Sequence, residues 1–498
     1  MDIEQFRREG YKAIDAICDY YAGLEQRPVV AQVEPGYLAK LVPDQAPLKG
    51  EPFNAIAADF QRLILPGITS WQHPSFFAYF PSNATFEGML ADLYASSVTN
   101  PGFNWACSPA CTELESVVMD WAAKLLGLGE AFWVQGGLGG GVIQTSASDS
   151  ALVAIVAARS AYLRAHPDVS PSDLVIYGTT QTHSLGAKAA LILGLNFRAL
   201  DVHPTFQYGL RGSTLQKAIL EDKDTGKHPF VLVATLGTTS TGAIDRMPEI
   251  GPIVQEAGLW MHVDAAWAGV ALSCPEFRDR SFLKYINEFA DSFCTNFHKW
   301  GLTNFDLSAM WVRDRTQLTD ALDVTPAFLR TKQSDAGMVI DYRNWQLSLG
   351  RKFRSIKLWF VLRSYGIEGL QTHIRKSIAL ATLFADFVGD SSLFELCTPQ
   401  SFALAVFRLY PKGIASMLKQ DELNSLNRAL FQKIAARSDI TLTQTDLLGT
   451  FCLRFAVGAQ RTEERHIRKA WEIISAAGVE TWAEWQATQS VSVENGKI

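Results

Sequence analysis

The chain of 498 residues is 48% hydrophobic with a formal net charge of −6, which is enough apolar material for a large buried core. Its 45 Lys and Arg are scattered, which excludes the basic stripe that nucleic acid or an anionic membrane surface requires. No apolar run is long enough to span a bilayer, and the first residues lack the basic-then-apolar order of a signal peptide, so a cytoplasmic enzyme is the expectation.

In chain order, MDIEQFRREGYKAIDAICDYYAGLEQ predicts an amphipathic helix, and proline-bearing turns follow it. Residues 1–82 are poor material for an independent core and read as an arm that wraps something else. From 83 to 365 short β-rich runs alternate with helical ones: DLVIYG, SLGAKAALILGL, FVLVATLG, MPEIGPIVQEAG, LWMHVDAAWAG. Strand, helix and strand in repetition predict an α/β domain built on a mostly parallel sheet with helices on both faces. Residues 366–498 mix amphipathic helices with the candidate strands FALAVFRLY and FCLRFAV, which reads as a smaller α+β domain. The seven cysteines, an odd number, read as thiols, and Cys107 with Cys111 reads as packing in place of a metal site because no second ligand pair accompanies them.

In an open parallel sheet, ligands gather beyond the carboxyl ends of the strands, so the polar residues after each apolar run are the candidates. GGGVIQTSASDSALVAIVAAR turns through Ser146, Ala147 and Ser148 into a helix whose N-terminal N–H groups and hydroxyls suit a phosphate. Gln144 stands where a dinucleotide fingerprint needs its third glycine, so a nicotinamide reading fails. His183 follows a strand in YGTTQTHSLGAKAA. Asp264 ends one in LWMHVDAAWAG, where the small residues Ala265, Ala266 and Ala268 leave room for a flat ligand. Lys299, in CTNFHKWGL, sits one strand–helix–strand unit later, in aromatic company where an ammonium is costly unless paired or neutralised. Each has a plainer reading: Ser148 as a helix cap, His183 as a structural ring, Asp264 with Lys299 as a buried ion pair. Together they call for one ligand with a phosphate, a flat ring bearing a basic nitrogen, and a carbonyl open to a lysine. Pyridoxal 5′-phosphate has all three, with its phosphate at Ser146–Ser148, its ring between His183 and Ala266, its nitrogen on Asp264 and its aldehyde joined to Lys299 as a Schiff base.

Over nearly the whole chain, FRREGYKAIDAICDYY, VEPGYLAKLVP, HPSFFAYFPSNATFEGMLAD, SPACTELE, VATLGTTSTGAID, HVDAAWAG, NFHKW, NFDLSAMWV and DYRNWQLSLGRKFRSIKLWF resemble the pyridoxal-phosphate-dependent group II decarboxylases, in particular the aromatic L-amino acid decarboxylases. The resemblance implies a fold-type I, aspartate-aminotransferase-like architecture and a homodimer whose N-terminal arms wrap the partner, with active sites at the interface. It implies that Ala147, Ser148 and Asn296 hold the phosphate, that Thr239 neighbours the cofactor, and that Asp264 holds the ring nitrogen. His183 then stacks on the ring, Lys299 carries the cofactor, and Ser146, Ala266 and His298 complete the set. Trp71, Tyr79, Phe80, Pro81, Phe103 and Phe305 match residues that line the substrate pocket. Gly350 matches a position where glycine goes with indoles and serine with phenols. The implied substrate is an aromatic L-amino acid, tryptophan before phenylalanine, tyrosine and dihydroxyphenylalanine, and the implied products are the arylalkylamine and carbon dioxide.

One departure from the family pattern bears on the outcome. In DVTPAFLRTKQSDAG, which matches the mobile catalytic loop, amine-forming members carry a tyrosine where this chain has Phe328. That tyrosine gives Cα its proton after carbon dioxide leaves, a general-acid step of about 10²–10⁴-fold in rate. Members called aromatic acetaldehyde synthases carry the Tyr-to-Phe change and release aldehyde, ammonia, carbon dioxide and hydrogen peroxide. Amine formation, with His183 or a water as donor, is the first expectation and aldehyde formation the alternative. Phe297 and Thr145 are smaller departures that bear on pocket shape. An aminotransferase on the same fold would need an arginine clamp, for which Arg351 is available, and a scaffold without activity is a third reading.

Overall fold

Seven strands form the larger sheet: β1 (Gly140–Gln144), β2 (Leu174–Thr179), β3 (Asn196–Leu200), β4 (His228–Thr235), β5 (Trp260–Asp264), β6 (Ser292–Asn296) and β7 (Ser308–Val312). Their spatial order is β1-β7-β6-β5-β4-β2-β3. The strands from β6 to β3 run parallel, whereas β7 is antiparallel to both β6 and β1. The antiparallel edge has a simple cause. Only residues 297–307 join β6 to β7, which is too short for the crossover that a parallel pair requires. The computed structural model describes residues 1–495, with side chains through residue 488.

The central strands are buried on both faces, and this is why they read as continuous apolar runs without alternation. In β4 every residue from Pro229 to Thr235 is buried. The helix Ala147–Ala165 lies over β4 to β7 and is started by Ser146, whose side chain accepts the Asp149 N–H. Such a cap is worth about 1 kcal/mol, and Asp149 in the first turn adds a favourable charge at the dipole's positive end. Gly237, at φ +87°, turns the chain after β4, and a Cβ there would lie 2.5 Å from Ala268 Cβ, so no other residue fits the turn.

The chain forms two compact units: Ser82–Thr382 with Leu396–Val406, and Met1–Pro81 with Leu383–Glu395 and Phe407 onward. The long helix Ser355–Asp390 is interrupted at Gly366, where φ +64° and ψ −179° are open to glycine alone. The C-terminal sheet has the order β10-β11-β9-β8, formed by β8 (Phe394–Leu396), β9 (Leu404–Leu409), β10 (Thr443–Leu447) and β11 (Thr450–Ala456). Its aromatic core stacks Phe455 on Phe384 at 3.7 Å and on Phe77 at 4.1 Å. The N-terminal helix Ile3–Ala22 forms behind an Asp2–Gln5 capping box and buries none of its residues. Ile3, Phe6, Tyr11 and Ile14 stand exposed along it. Among the described residues, no helix is long and apolar enough to cross a membrane.

Candidate active site

The carboxyl ends of the parallel strands come together at one edge, with Thr235 beside Asp264 and Asp264 beside Cys294 in the register. His183 follows β2, Thr239 follows β4, Asp264 ends β5 and Asn296 ends β6. Lys299 lies in the short helix Phe297–Trp300 that continues from β6. Residues far apart in sequence thus share the edge where a parallel sheet binds ligands.

Asp264 is 3% exposed, and one of its oxygens accepts the Ala266 N–H at 2.9 Å. Burial pushes its carboxyl above the usual range, opposed by that N–H and by the charges of Lys299 and His183. A protonated ring nitrogen against the carboxylate would reverse the push, since an opposite charge favours the ionised form. His183 reaches solvent, and its Nδ1 accepts the Leu185 N–H at 3.3 Å, which leaves Nε2 to carry the proton. Desolvation lowers its pKa, with Asp264 opposing and Lys299 adding to the effect, so the ring is neutral near pH 7. His298 is a brace: its Nδ1 accepts the Leu307 N–H at 2.8 Å and its ring meets Phe305 edge-on at 4.8 Å. Burial, helped by the Lys299 charge, brings its pKa to about 4. The backbone of the lysine turn is fixed as well, because Asn83 donates to the Lys299 carbonyl at 2.8 Å and Ser82 to the His298 carbonyl at 3.0 Å.

Ala147 and Ser148 are the first two residues of their helix, where N–H groups have no intrahelical acceptor and the dipole favours an anion. Ser146 spends its hydroxyl on Asp149, donating to the carboxylate at 3.1 Å and accepting the N–H at 3.3 Å. Asn296 is 3% exposed, and its Oδ1 has no hydrogen-bond partner. With the amide turned over, the same position offers an N–H donor to an anion. A phosphate, a basic ring nitrogen and an aldehyde would therefore meet helix N–H groups with the Asn296 amide, a buried carboxylate and a lysine amine in turn. The residues present fit pyridoxal 5′-phosphate. Thr239 and Ala266 are half-buried beside this edge.

The residues matched to a substrate pocket fall in both units. Trp71, Tyr79, Phe80 and Pro81 belong to the unit with the C-terminal sheet, where Trp71 stacks on Tyr79 at 5.3 Å and Arg454 lies over Phe80. Phe103, Phe305 and Gly350 belong to the other. There Phe305 and Gly350 line a cavity of about 720 Å³ together with Thr145 and Asp149, which flank the Ser146–Ser148 turn. Phe103, His183, Asp264 and Lys299 are not on its wall. Phe328 lies in the turn Ala327–Leu329 and is 82% exposed. Tyr342, the one tyrosine between residues 313 and 354, cannot serve as the proton donor that position 328 lacks. It is buried, its hydroxyl is paired with Ser116 Oγ at 3.0 Å, and burial raises its pKa further. Arg351 is no carboxylate clamp either: its guanidinium is buried against Glu115 and Gln346.

Sequence reasoning missed three supports. Gln181 Oε1 accepts the hydroxyls of Thr238 at 2.9 Å and Thr241 at 2.6 Å, tying the turn after β2 to the turn after β4. Asp245, fully buried, accepts the Thr235 N–H at 2.7 Å and the Leu210 N–H at 2.8 Å, and burial raises its pKa to about 6. Glu115 lies on the buried face of Pro109–Leu126 beside Cys111, Val118 and Met119, and a glutamate in that apolar stripe was the available signal.

Residues 35–410 match the pyridoxal-dependent decarboxylase conserved domain. The chain is 46% identical over 481 residues to the phenylacetaldehyde synthase of Arabidopsis thaliana, covering 95% of this chain and 96% of that one. It is also 46% identical over 484 residues to the aromatic-L-amino-acid decarboxylase of Mus musculus, covering 95% and 98%. The crystal structure of Oryza sativa TDC with PLP and tryptamine superposes with a TM-score of 0.93 at 37% identity, over 96% of this chain and 99% of that one. The chain therefore belongs to the pyridoxal-dependent decarboxylases, in the group II aromatic amino acid family, and its cofactor is pyridoxal 5′-phosphate.

Proposed function

We propose that the protein removes the α-carboxylate of an aromatic L-amino acid and, for want of a proton donor at position 328, releases the arylacetaldehyde. The observation that carries this reading is Phe328 on an exposed turn, in a loop that holds no tyrosine, while Tyr342 beyond it is buried and engaged elsewhere. When bound, pyridoxal phosphate supplies an electron-withdrawing ring conjugated to Cα, which stabilises the charge left as carbon dioxide departs. Ala147, Ser148 and Asn296 would hold its phosphate, Asp264 would keep the proton on its ring nitrogen, and His183 would face its ring. Lys299 would supply the amine that carries its aldehyde. Ser146, Thr239, Ala266 and His298 shape the surrounding wall.

Phe328, with a phenyl ring in place of a phenol, hands Cα no proton. Dioxygen then takes the electron pair, so that one amino acid, one dioxygen and one water give one aldehyde, one carbon dioxide, one ammonia and one hydrogen peroxide. The Arabidopsis thaliana relative, named for phenylacetaldehyde synthesis, supports this reading. Amine formation is the second reading, supported by the Mus musculus relative and by His183, whose Nε2 proton stands at the same sheet edge. Oxygen uptake equal to carbon dioxide release supports the aldehyde; carbon dioxide matched by amine with no oxygen consumed overturns it.

Gly350 stands where glycine goes with indoles in the family pattern, so L-tryptophan is the first substrate, with phenylalanine, tyrosine and dihydroxyphenylalanine next. The unburied apolar side chains of Ile3–Ala22 support a homodimer in which residues 1–82 serve as a wrapping arm.

A further inference from the structure

Beneath the cavity that holds Gly350, a charged pair takes no part in the chemistry described above. The side chains of Glu115 and Arg351 are 4% and 3% exposed, and Arg351 Nη2 donates to Glu115 Oε1. The same Glu115 oxygen accepts the Ile143 N–H at 2.8 Å. Arg351 Nη1 donates to Gln346 Oε1 at 2.7 Å, and Gln346 Nε2 donates in turn to the carbonyls of Ser348 and, at 3.4 Å, Gly350. One pair therefore grips two segments: β1, three residues before the Ser146 cap, and the turn that carries Gly350.

A buried ion pair adds little stability over an apolar pair of equal volume, because desolvating two charges offsets most of their attraction. What it supplies is direction, since charge-assisted bonds are short and oriented. An apolar side chain at 115 would also leave the buried Ile143 N–H without this acceptor.

We propose that Glu115 and Arg351 are positioning residues that couple the phosphate cradle at Ser146–Ser148 to the substrate wall at Gly350, so that cofactor affinity and side-chain preference change together. The inference rests on the functional reading above, which places phosphate at the first and substrate at the second.

The test uses the full chain with Arg351→Lys, Glu115→Gln and Gln346→Ala, each checked for folding by circular dichroism. Cofactor Kd is read by absorbance, and KM and kcat are measured for L-tryptophan and L-tyrosine. Arg351→Lys and Glu115→Gln should raise the cofactor Kd and change the ratio of the two KM values by about 10- to 100-fold, with smaller effects on kcat. Gln346→Ala leaves the ion pair in place, and should change the KM ratio while the cofactor Kd stays within about twofold. Folded Arg351→Lys protein with both quantities unchanged overturns the coupling. Should the two charge variants not fold, Gln346→Ala decides: an unchanged KM ratio contradicts the link to Gly350. If the protein turns over no aromatic amino acid, the proposed reaction fails, and the cofactor Kd of Arg351→Lys still decides whether the pair supports the cradle.

Discussion

The sheet edge and the loop after β7 are built in opposite ways. At the edge, Asp264, Asn296 and His298 are each less than 5% exposed, strand pairing pins the backbone of Asp264 and Asn296, and the lysine turn that carries His298 is held from Ser82 and Asn83. On the loop, Phe328 is 82% exposed on a three-residue turn and Gly350 faces an open cavity. The buried groups at the edge, Asp264 and Asn296, act in a poorly solvated place where small displacements are costly. Phe328 touches little of the protein. On the proposed reading, the reaction class resides in the buried edge and the choice of product in the exposed turn at Phe328, so that a single exposed substitution redirects the chemistry with the cofactor site intact.

Variants at the two regions should differ accordingly. Lys299→Ala should bind the cofactor's phosphate and show no turnover above background, read as carbon dioxide release. Asp264→Asn should retain the fold and lose about 10²–10³-fold in kcat, because the ring nitrogen loses its anionic partner. Gly350→Ser should be accommodated, since a Cβ there meets only Pro101 Cβ at 4.0 Å, and should leave cofactor binding unchanged. It should move kcat/KM from L-tryptophan toward L-tyrosine by about tenfold. Gly350→Ser keeps the backbone carbonyl that Gln346 Nε2 meets, so the link through Arg351 and Glu115 to β1 stays in place and the cofactor Kd should not move.

The smallest effect concerns stability at the rigid edge. Burial raises the Asp245 pKa from 3.8 to about 6, so between these values the folded chain holds a proton that the unfolded chain has lost. Stability from this group therefore falls as pH rises through that window. The difference should disappear in Asp245→Asn: relative to the variant, the wild type should lose roughly 2–3 kcal/mol between pH 4 and pH 6.5 in denaturant unfolding.

Much of the rigid region was legible in the sequence because strand ends in a parallel sheet must present their polar residues together. Asp264 after HV was visible in this way, whereas Asn296 after SFCT was legible only through the family resemblance. The antiparallel β7 was not legible, since SAMWV carries no mark of direction and only the short link from β6 decides it. Asp245 and Gln181 were hidden for another reason. Their partners are backbone N–H groups and hydroxyls on turns distant in sequence, and no spacing rule brings those turns together. Glu115 was partly visible as a charge on an apolar stripe, but Arg351, its partner, reads from sequence as an available carboxylate clamp, and nothing in its spacing points to Glu115.

The most direct measurement compares the purified protein and Phe328→Tyr, each with pyridoxal phosphate, L-tryptophan and air, following carbon dioxide, amine, aldehyde and hydrogen peroxide together. The account predicts aldehyde and peroxide equal to carbon dioxide in the wild type, with amine replacing both in Phe328→Tyr. Amine equal to carbon dioxide in both proteins, with no peroxide from either, would contradict it and place the proton donor elsewhere in the site.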